Sequence, residues 1–550
     1  MKRFTITALA LVLTLALQAI PAKRNVCKTG HLSDGTELKV ELVGDELGHY
    51  WQSADGRKFM LQDETGLLTP VDETAMQRHI SQRRAAVNTY RQQRVQQRQT
   101  ESTLPTNQLT GKKNVLLILV NYQDVKFQDG HGKEAYEQIL NQPNFSNDQG
   151  FVGSVYDYYK AQSKGQFEVH FDIKGPVTLS QNMKYYGGND AYGNDKRPYE
   201  MLKEACDSVA SEVNFADYDW NGDREVDQVF LIYAGQGEAV SGVPDQVWPH
   251  EWSLVASTGR MYLVNGYKIN TYACSPEMYS KTRQDGIGTI CHEFGHCLGL
   301  MDMYDTGYRY AGMGTWDVMA QGSYNGDSNR PPFFSTVERM ICGWGQPVEL
   351  VDDQTVDHLE PYAQDGTSYI IYNDANRDEF YTIENRQRMD WDTELPGTGL
   401  LITHVDYNES QWSSNSVNTS KNQGCSIIPA NNRSIFYTRA TYDYDAYPYM
   451  DNDSLTNNSR PAAKLNTPNT DGKYYMNKAL YDMAVNADGT ASFRFVNNNV
   501  STGIAGVKVN AEALRPQRIY DLCGRYVGSS FEALTPGVYI VNGQKRIKKQ

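Results

Sequence analysis

The order of apolar and turn-forming residues predicts a mixed-sheet α/β domain, preceded by a small β-containing segment and followed by β-rich modules. Three observations carry this. Val115-Leu116-Leu117-Ile118-Leu119-Val120 is an unbroken apolar run, the mark of a strand buried on both faces. Helical spacing at Phe151, Val155, Tyr158 and Tyr159, and a second helical stretch from Pro198 to Val213, alternate with strand-like runs at Phe167–Ile173 and Val229–Tyr233. From Tyr369 onward, short runs (Tyr369–Tyr372, Phe380–Ile383, Gly399–Thr403) are divided by Gly, Pro, Asn and Asp.

Taken in order, Lys2 and Arg3 precede an apolar stretch from Phe4 to Ile20 with small residues at Ala19 and Ala22, the layout of a secretory signal peptide over residues 1–22. That stretch falls short of the ~20 residues that span a bilayer and no later run approaches that length, so no integral membrane domain is expected. Residues 23–107 have their own character: strand-like Leu38–Val43 and His49–Gln52, Asp-Gly turns at Asp34 and Asp55, then a Gln- and Arg-rich, helix-compatible stretch from Thr74 to Thr100. A folded piece on a basic, cuttable connector fits a removable propeptide, and a solvated spacer fits the same composition. The α/β domain takes residues 108–347 and a β-rich accessory module 348–500, where Asn408–Asn469 reads as long loops. Residues 501–550 form a last block of short strands and glycine turns, expected as a small β-sandwich. A chain of 550 residues is expected to divide in this way, because one core seldom encloses so many.

The formal charge of −14 argues against a nucleic-acid partner, which requires a basic face to neutralise phosphates. Eight cysteines spread over this length do not make the dense disulfide framework of small secreted domains. Cys291 and Cys297 point to different helical faces and read as small buried hydrophobes rather than ligands. Cys27, alone near the leader, is weak evidence for a thiolate that blocks a metal.

The chemistry concentrates in His292-Glu293-Phe294-Gly295-His296. Residues i and i+4 share one helical face, so the two imidazoles can hold one Zn²⁺ while Glu293 holds its water as general base. Gly299 is free to take positive φ, end the helix and return the chain toward the metal, which places Asp302 as the third ligand. Asp305 is a second acidic residue in reach, and spacing favours Asp302. The pattern H-E-x-x-H-x-x-G-x-x-D is the elongated metzincin signature with an aspartate in the last place, and Met319, 23 residues beyond His296, resembles the methionine turn beneath such a zinc. The α/β domain is therefore read as a metzincin-like zinc peptidase domain, with three protein ligands and a fourth position left for water.

His292 to Asp305, the Trp316-Asp317-Val318-Met319-Ala320 turn and Pro331-Pro332-Phe333-Phe334-Ser335 together resemble the immune inhibitor A family of secreted bacterial metallopeptidases. So do the opening strand Leu117–Asp124, Glu384-Asn385-Arg386-Gln387, and Leu395–Ile402. The resemblance implies a propeptide-bearing secreted endopeptidase with His292, His296 and Asp302 on zinc, Glu293 catalytic, and proteins or peptides as substrates. The alternative class is an inactive peptidase-fold binding or adhesion protein. A dead copy has no need of Glu293 or of a complete ligand set, and all are present.

Three weaker signals complete the reading. Asp217, Asp219, Asn221 and Asp223 place oxygens at alternate positions around Gly222, like the start of a calcium loop, but Gln228 stands where an EF-hand closes with glutamate. The alternative is a solvated Asn221-Gly222 turn. His404 and Asp406 form an acid–imidazole pair on one strand face, read as structural hydrogen bonding or as part of a site. The final block, with Ile519–Val527, Leu534–Val541 and a basic end, resembles the C-terminal sorting domains of the bacterial type IX secretion pathway, which would make secretion machinery a partner. An ordinary β-module that binds substrate is the other reading.

Overall fold

The computed structural model describes residues 20–83 except 63, residue 104, residues 106–437 and 441–498, and parts of 519–548. The first element is a small closed barrel. Its strands β1 (Cys27–His31), β2 (Glu37–Asp45), β3 (Gly48–Ser53), β4 (Lys58–Gln62) and β5 (Leu67–Pro70) follow one another antiparallel, and β1 closes on β5. Helix follows over residues 73–83, where the Arg-rich stretch predicts it; Arg84 to Thr100 lies outside the described residues.

The catalytic-type domain is built on β6 (Gly111–Asn121), β7 (Phe167–Thr178), β8 (Val229–Gln236), β9 (His250–Ser253), the hairpin β10 (Tyr262–Val264) and β11 (Tyr267–Ile269), β12 (Thr271–Ser280) and β13 (Arg283–Gln284). The main sheet runs β13-β12-β8-β6-β7, with β6, β7, β8 and β12 parallel and β9 antiparallel on β12. The apolar run in β6 is continuous because both faces are covered. Val115, Leu117 and Leu119 enter one core with Tyr158, Tyr159, Ile290 and Phe294, while Leu116, Ile118 and Val120 enter a second with Met201, Leu202 and Ala205. Three helices supply those partners, α2 (Val155–Gln162), α3 (Pro198–Val209) and α4 (Ile287–Cys297), and α1 (Lys133–Asn141) adds Tyr136, Ile139 and Leu140 to the first core. Ser154 and Asp157 form a capping box that starts α2. The Tyr159 hydroxyl, at the core end of α2, donates to the Cys291 carbonyl at 2.7 Å and so pins α2 against α4.

Helix α5 (Thr336–Cys342) leads into the β-rich module. It holds the five-stranded sheet β14-β16-β17-β18-β19 (Val348–Glu349, Ser368–Tyr372, Glu379–Arg386, Gly399–Asp406, Cys425–Ile427) and the three-stranded sheet β15-β21-β20 (Gln354–Leu359, Ala491–Asn497, Lys478–Val485). Most of Asn408–Asn469 is loop, as composition predicts. Residues 20–498 make one compact unit, to which the barrel belongs. The second unit begins at Asn499; its described strands (Ile519–Tyr520, Tyr526–Gly528, Gly537–Val541, Gln544–Lys548) make one antiparallel four-stranded sheet, where a two-layer sandwich is the sequence expectation. No helix among the described residues is long and apolar enough to cross a membrane.

Candidate metal centre

Helix α4 is buried along nearly its whole length and carries His292, Glu293 and His296, each at most 2% exposed. Its ends and neighbours decide what those side chains can do. At the C-terminus Gly299 takes φ +98°, its N–H donates to the His296 carbonyl at 2.8 Å, and the Leu300 N–H returns to Gly295 at 3.1 Å. This left-handed cap reverses the chain as the glycine predicts. It brings the Leu300 carbonyl to 3.0 Å from His296 Nδ1 and carries Asp302 back over the helix.

A second turn, Trp316 to Met319, lies beneath. The Val318 carbonyl is 2.7 Å from His292 Nδ1. Met319 packs against Gly295 so closely that a Cβ on that glycine would sit 2.6 Å from the Met319 sulfur. Glycine between the ligand histidines is thus what admits the methionine turn.

A carbonyl has no proton to give, so both Nδ1 atoms are donors and both rings turn Nε2 inward. The two Nε2 atoms are 3.0 Å apart, and each is 3.4 Å from Asp302 Oδ1, which is buried without a hydrogen-bond partner. Three electron pairs facing one another in a dry site are costly unless a cation lies between them. A tetrahedral ion with bonds of ~2.0–2.1 Å sets its donors roughly 3.3 Å apart, so the trio fits one. Among the described residues, His292, His296 and Asp302 are the one set of at least three His, Cys, Asp or Glu whose ligand atoms all lie within 4.8 Å of one another.

Asp305 does other work. Its oxygens accept the backbone N–H groups of Gly307, Arg309 and Tyr310 at 2.7, 2.9 and 3.0 Å, which folds the following loop. Asp302 is held by Asn415, whose Oδ1 accepts the Asp302 N–H at 2.8 Å and whose Nδ2 donates to Asp302 Oδ2 at 2.5 Å. Asn415 comes from a loop of the β-rich module, and no periodicity or spacing in the sequence marks it. Glu293 Oε1 accepts the Ile20 backbone N–H at 2.9 Å, while Oε2 is buried without a partner. Burial pushes the Glu293 carboxyl well up, with Asp302 and Glu251 adding to it.

The other expected residues lie elsewhere. Asp219 accepts the N–H groups of Gly222 and Arg224 at 2.7 and 2.9 Å, Asn221 and Asp223 accept those of Asp223 and Glu225, and Asp217 pairs with the Asn214 amide. The segment is a turn closed on its own backbone. His404 pairs with Glu379 on the next strand at 2.8 Å, and Asp406 accepts from Asn466 at 2.9 Å, so the two bond to different partners. Cys27 is exposed on β1.

A parallel-centred α/β domain with two histidines, a carboxylate and a buried glutamate on and around one helix holds the groups that metal-dependent hydrolases use. Residues 105–341 match the family described as immune inhibitor A peptidase M6, catalytic domain. The pre-pro-metalloprotease PrtV of Vibrio cholerae is 29% identical over 266 residues, 40% of this chain and 28% of that protein. Immune inhibitor A of Bacillus thuringiensis is 28% identical over 256 residues, 39% of this chain and 37% of that protein. A putative secreted metallopeptidase of Arthroderma benhamiae is 22% identical over 224 residues. The chain thus spans roughly a third of the length of these relatives.

Proposed function

We infer that the chain is the precursor of a secreted, zinc-dependent endopeptidase of metzincin-like fold. The observation that carries this is the convergence of three possible ligand atoms, two imidazole nitrogens and a carboxylate oxygen, beside a buried glutamate. Thiolates are absent from the set, as suits a catalytic rather than a closed structural zinc site. Bound zinc would polarise the scissile carbonyl and acidify its water. The chain's own parts do the rest: His292, His296 and Asp302 hold the ion, Asn415 and the Val318 and Leu300 carbonyls fix their orientation, and Glu293 takes the water proton and passes it to the leaving amine. Relatives named as pre-pro and secreted metallopeptidases support export and maturation by removal of the N-terminal region. Asn415 also favours an active enzyme over a binding scaffold, because a dead copy has no use for a residue that orients a metal ligand.

The test is Glu293→Gln in the matured enzyme. Zinc content and fold are expected to persist while peptide hydrolysis falls by about 10²–10⁴-fold, the usual share of a general base. Full activity with zinc bound would reject the mechanism.

A further inference from the structure

Arg339, on α5, is a buried guanidinium with no anion beside it. It is 2% exposed, and its Nε is buried without a hydrogen-bond partner. Among the described residues it makes neither a hydrogen bond nor an ion pair. Its neighbours are aromatic: Arg339 Cζ lies 4.4 Å from the centre of the Tyr362 ring and 5.3 Å from that of Phe333. Arg386 shows the contrast. It sits 5.6 Å from the centre of the same Tyr362 ring, yet it is bonded to both Asp392 and Glu384. A guanidinium withdrawn from water needs an anion to offset its lost hydration, and ring faces recover only part of that.

An anion has room to enter. Arg339 lines a cavity of about 1100 Å³ whose wall comes from both the α/β domain and the β-rich module. Gly366, at φ +64°, lies in that wall, and a Cβ there would fall 2.4 Å from Arg339 Nη1 and 3.1 Å from Lys164 Nζ. The glycine therefore leaves open the point on which two cations converge. The other charges of the wall are engaged or exposed. Lys160 pairs with Glu168 at 3.4 Å, and Arg330 donates to the Gly150 carbonyl at 2.7 Å. Asp157 Oδ2 accepts the N–H groups of Asn144 and Ser154 at 2.7 and 2.9 Å, and Asp390 lies exposed. Phe145 and Trp391 add apolar ring surface to the same wall. A fork for an oxyanion combined with flat apolar surface is what recognises an acid group attached to a ring. No proposed metal ligand lines this cavity.

We propose that the cavity is a binding site for a carboxylate carried on a ring: Arg339 pairs with the carboxylate, Lys164 adds positive charge beside it, and the aromatic wall holds the ring. A uronic acid and an aromatic acid share this chemistry. Calorimetric titration of the purified full chain with D-glucuronate, phenylacetate, glucose and acetate tests it. At least one of the two ring acids is expected to bind, at one site per chain. Glucose, which lacks the charge, should bind about tenfold or more weakly, the effect of one lost charged hydrogen bond, and acetate, which lacks the ring, should also bind less tightly. Glucuronate binding alone identifies a sugar acid, phenylacetate binding alone an aromatic acid, and either supports the site. Arg339→Met should weaken the ring acid by about tenfold or more. Lys164→Glu, at an exposed position, sets an anion beside Arg339 and should do the same; it decides the matter if Arg339→Met does not fold. Zinc also holds carboxylates, so the titration is repeated after chelation and dialysis, where binding should persist. No binding of either ring acid, acetate bound as tightly as the ring acids, full binding in folded Arg339→Met or in Lys164→Glu, or binding that disappears with the zinc would each overturn the proposal.

Discussion

His292 and His296 owe their metal-ready tautomers to two carbonyls, one from a helix cap and one from a turn that follows some twenty residues later. Asp302 is the proposed third ligand on the same logic, since its Oδ1 has no hydrogen-bond partner while both Asp305 oxygens are spent on backbone N–H groups. Asp302→Ala is therefore expected to lose zinc affinity along with rate, and Asp305→Ala to keep most of its zinc while its loop loosens; metal analysis after dialysis separates them. Loss of zinc from the second variant alone would reverse the assignment. Asp317, beside Met319, shows a different charge problem. Burial pushes its carboxyl up to about 6, where it shares a proton with Glu338. A raised folded value means stability that is complete below the unfolded pKa near 3.8 and lost as pH rises through about 6. Denaturant midpoints of the metal-free protein should fall across that window, and Asp317→Asn should flatten the fall. A wild-type midpoint that rises through the same window would contradict it.

At the scale of elements, a buried guanidinium helps to tie the β-rich module to the α/β domain. Arg386, at the end of β17, makes paired 2.7 Å bonds to Asp392 and a 3.0 Å bond to Glu384, and it donates to the Phe333 carbonyl at 3.1 Å. Asp392 and Glu384 in turn accept the N–H groups of Phe333 and Thr336 at the start of α5. Arg386→Met strands two carboxylates in the core, so it should cost about 3–5 kcal/mol. Urea unfolding measures this, and a loss below about 1 kcal/mol, the scale of an exposed ion pair, would mean the clamp is solvated. The same module supplies Asn415, so its displacement should also weaken zinc binding.

For the whole molecule, the two units make separate predictions. Every group proposed for catalysis lies in the first unit, which ends at Asn498. Deleting residues 501–550 is expected to leave the matured enzyme able to cleave peptide and to trap the protein in the periplasm. Normal release of the truncated protein would reject sorting, and loss of activity in folded truncated enzyme would assign the block to catalysis. On the proposed function the barrel belongs to the propeptide, so maturation is expected to remove it. The Arg-rich connector before Pro105 is where the cut is expected, and the mature N-terminus reports it.

The sequence by itself determined the local parts. The unbroken apolar run in β6, the i and i+4 histidines, the glycine that reverses the chain at 299 and the methionine at 319 each follow from periodicity or from backbone freedom, which act over a few residues. Those rules found α4, its cap and the ligand trio, and named the stretches around Phe333 and Arg386 without showing that they meet. They missed β12, since nine of its ten residues are buried on both faces and include Ser275 and Glu277, which break any apolar run. Only the tertiary structure decided what converges on the site from afar: Asn415 from a loop without pattern, the Val318 carbonyl, and Ile20 from within the expected leader. The Asn415 contact joins residues more than a hundred positions apart, and the Ile20 contact nearly three hundred. No local spacing encodes them, because they exist only once the cores on both sides of the sheet have brought their carriers together.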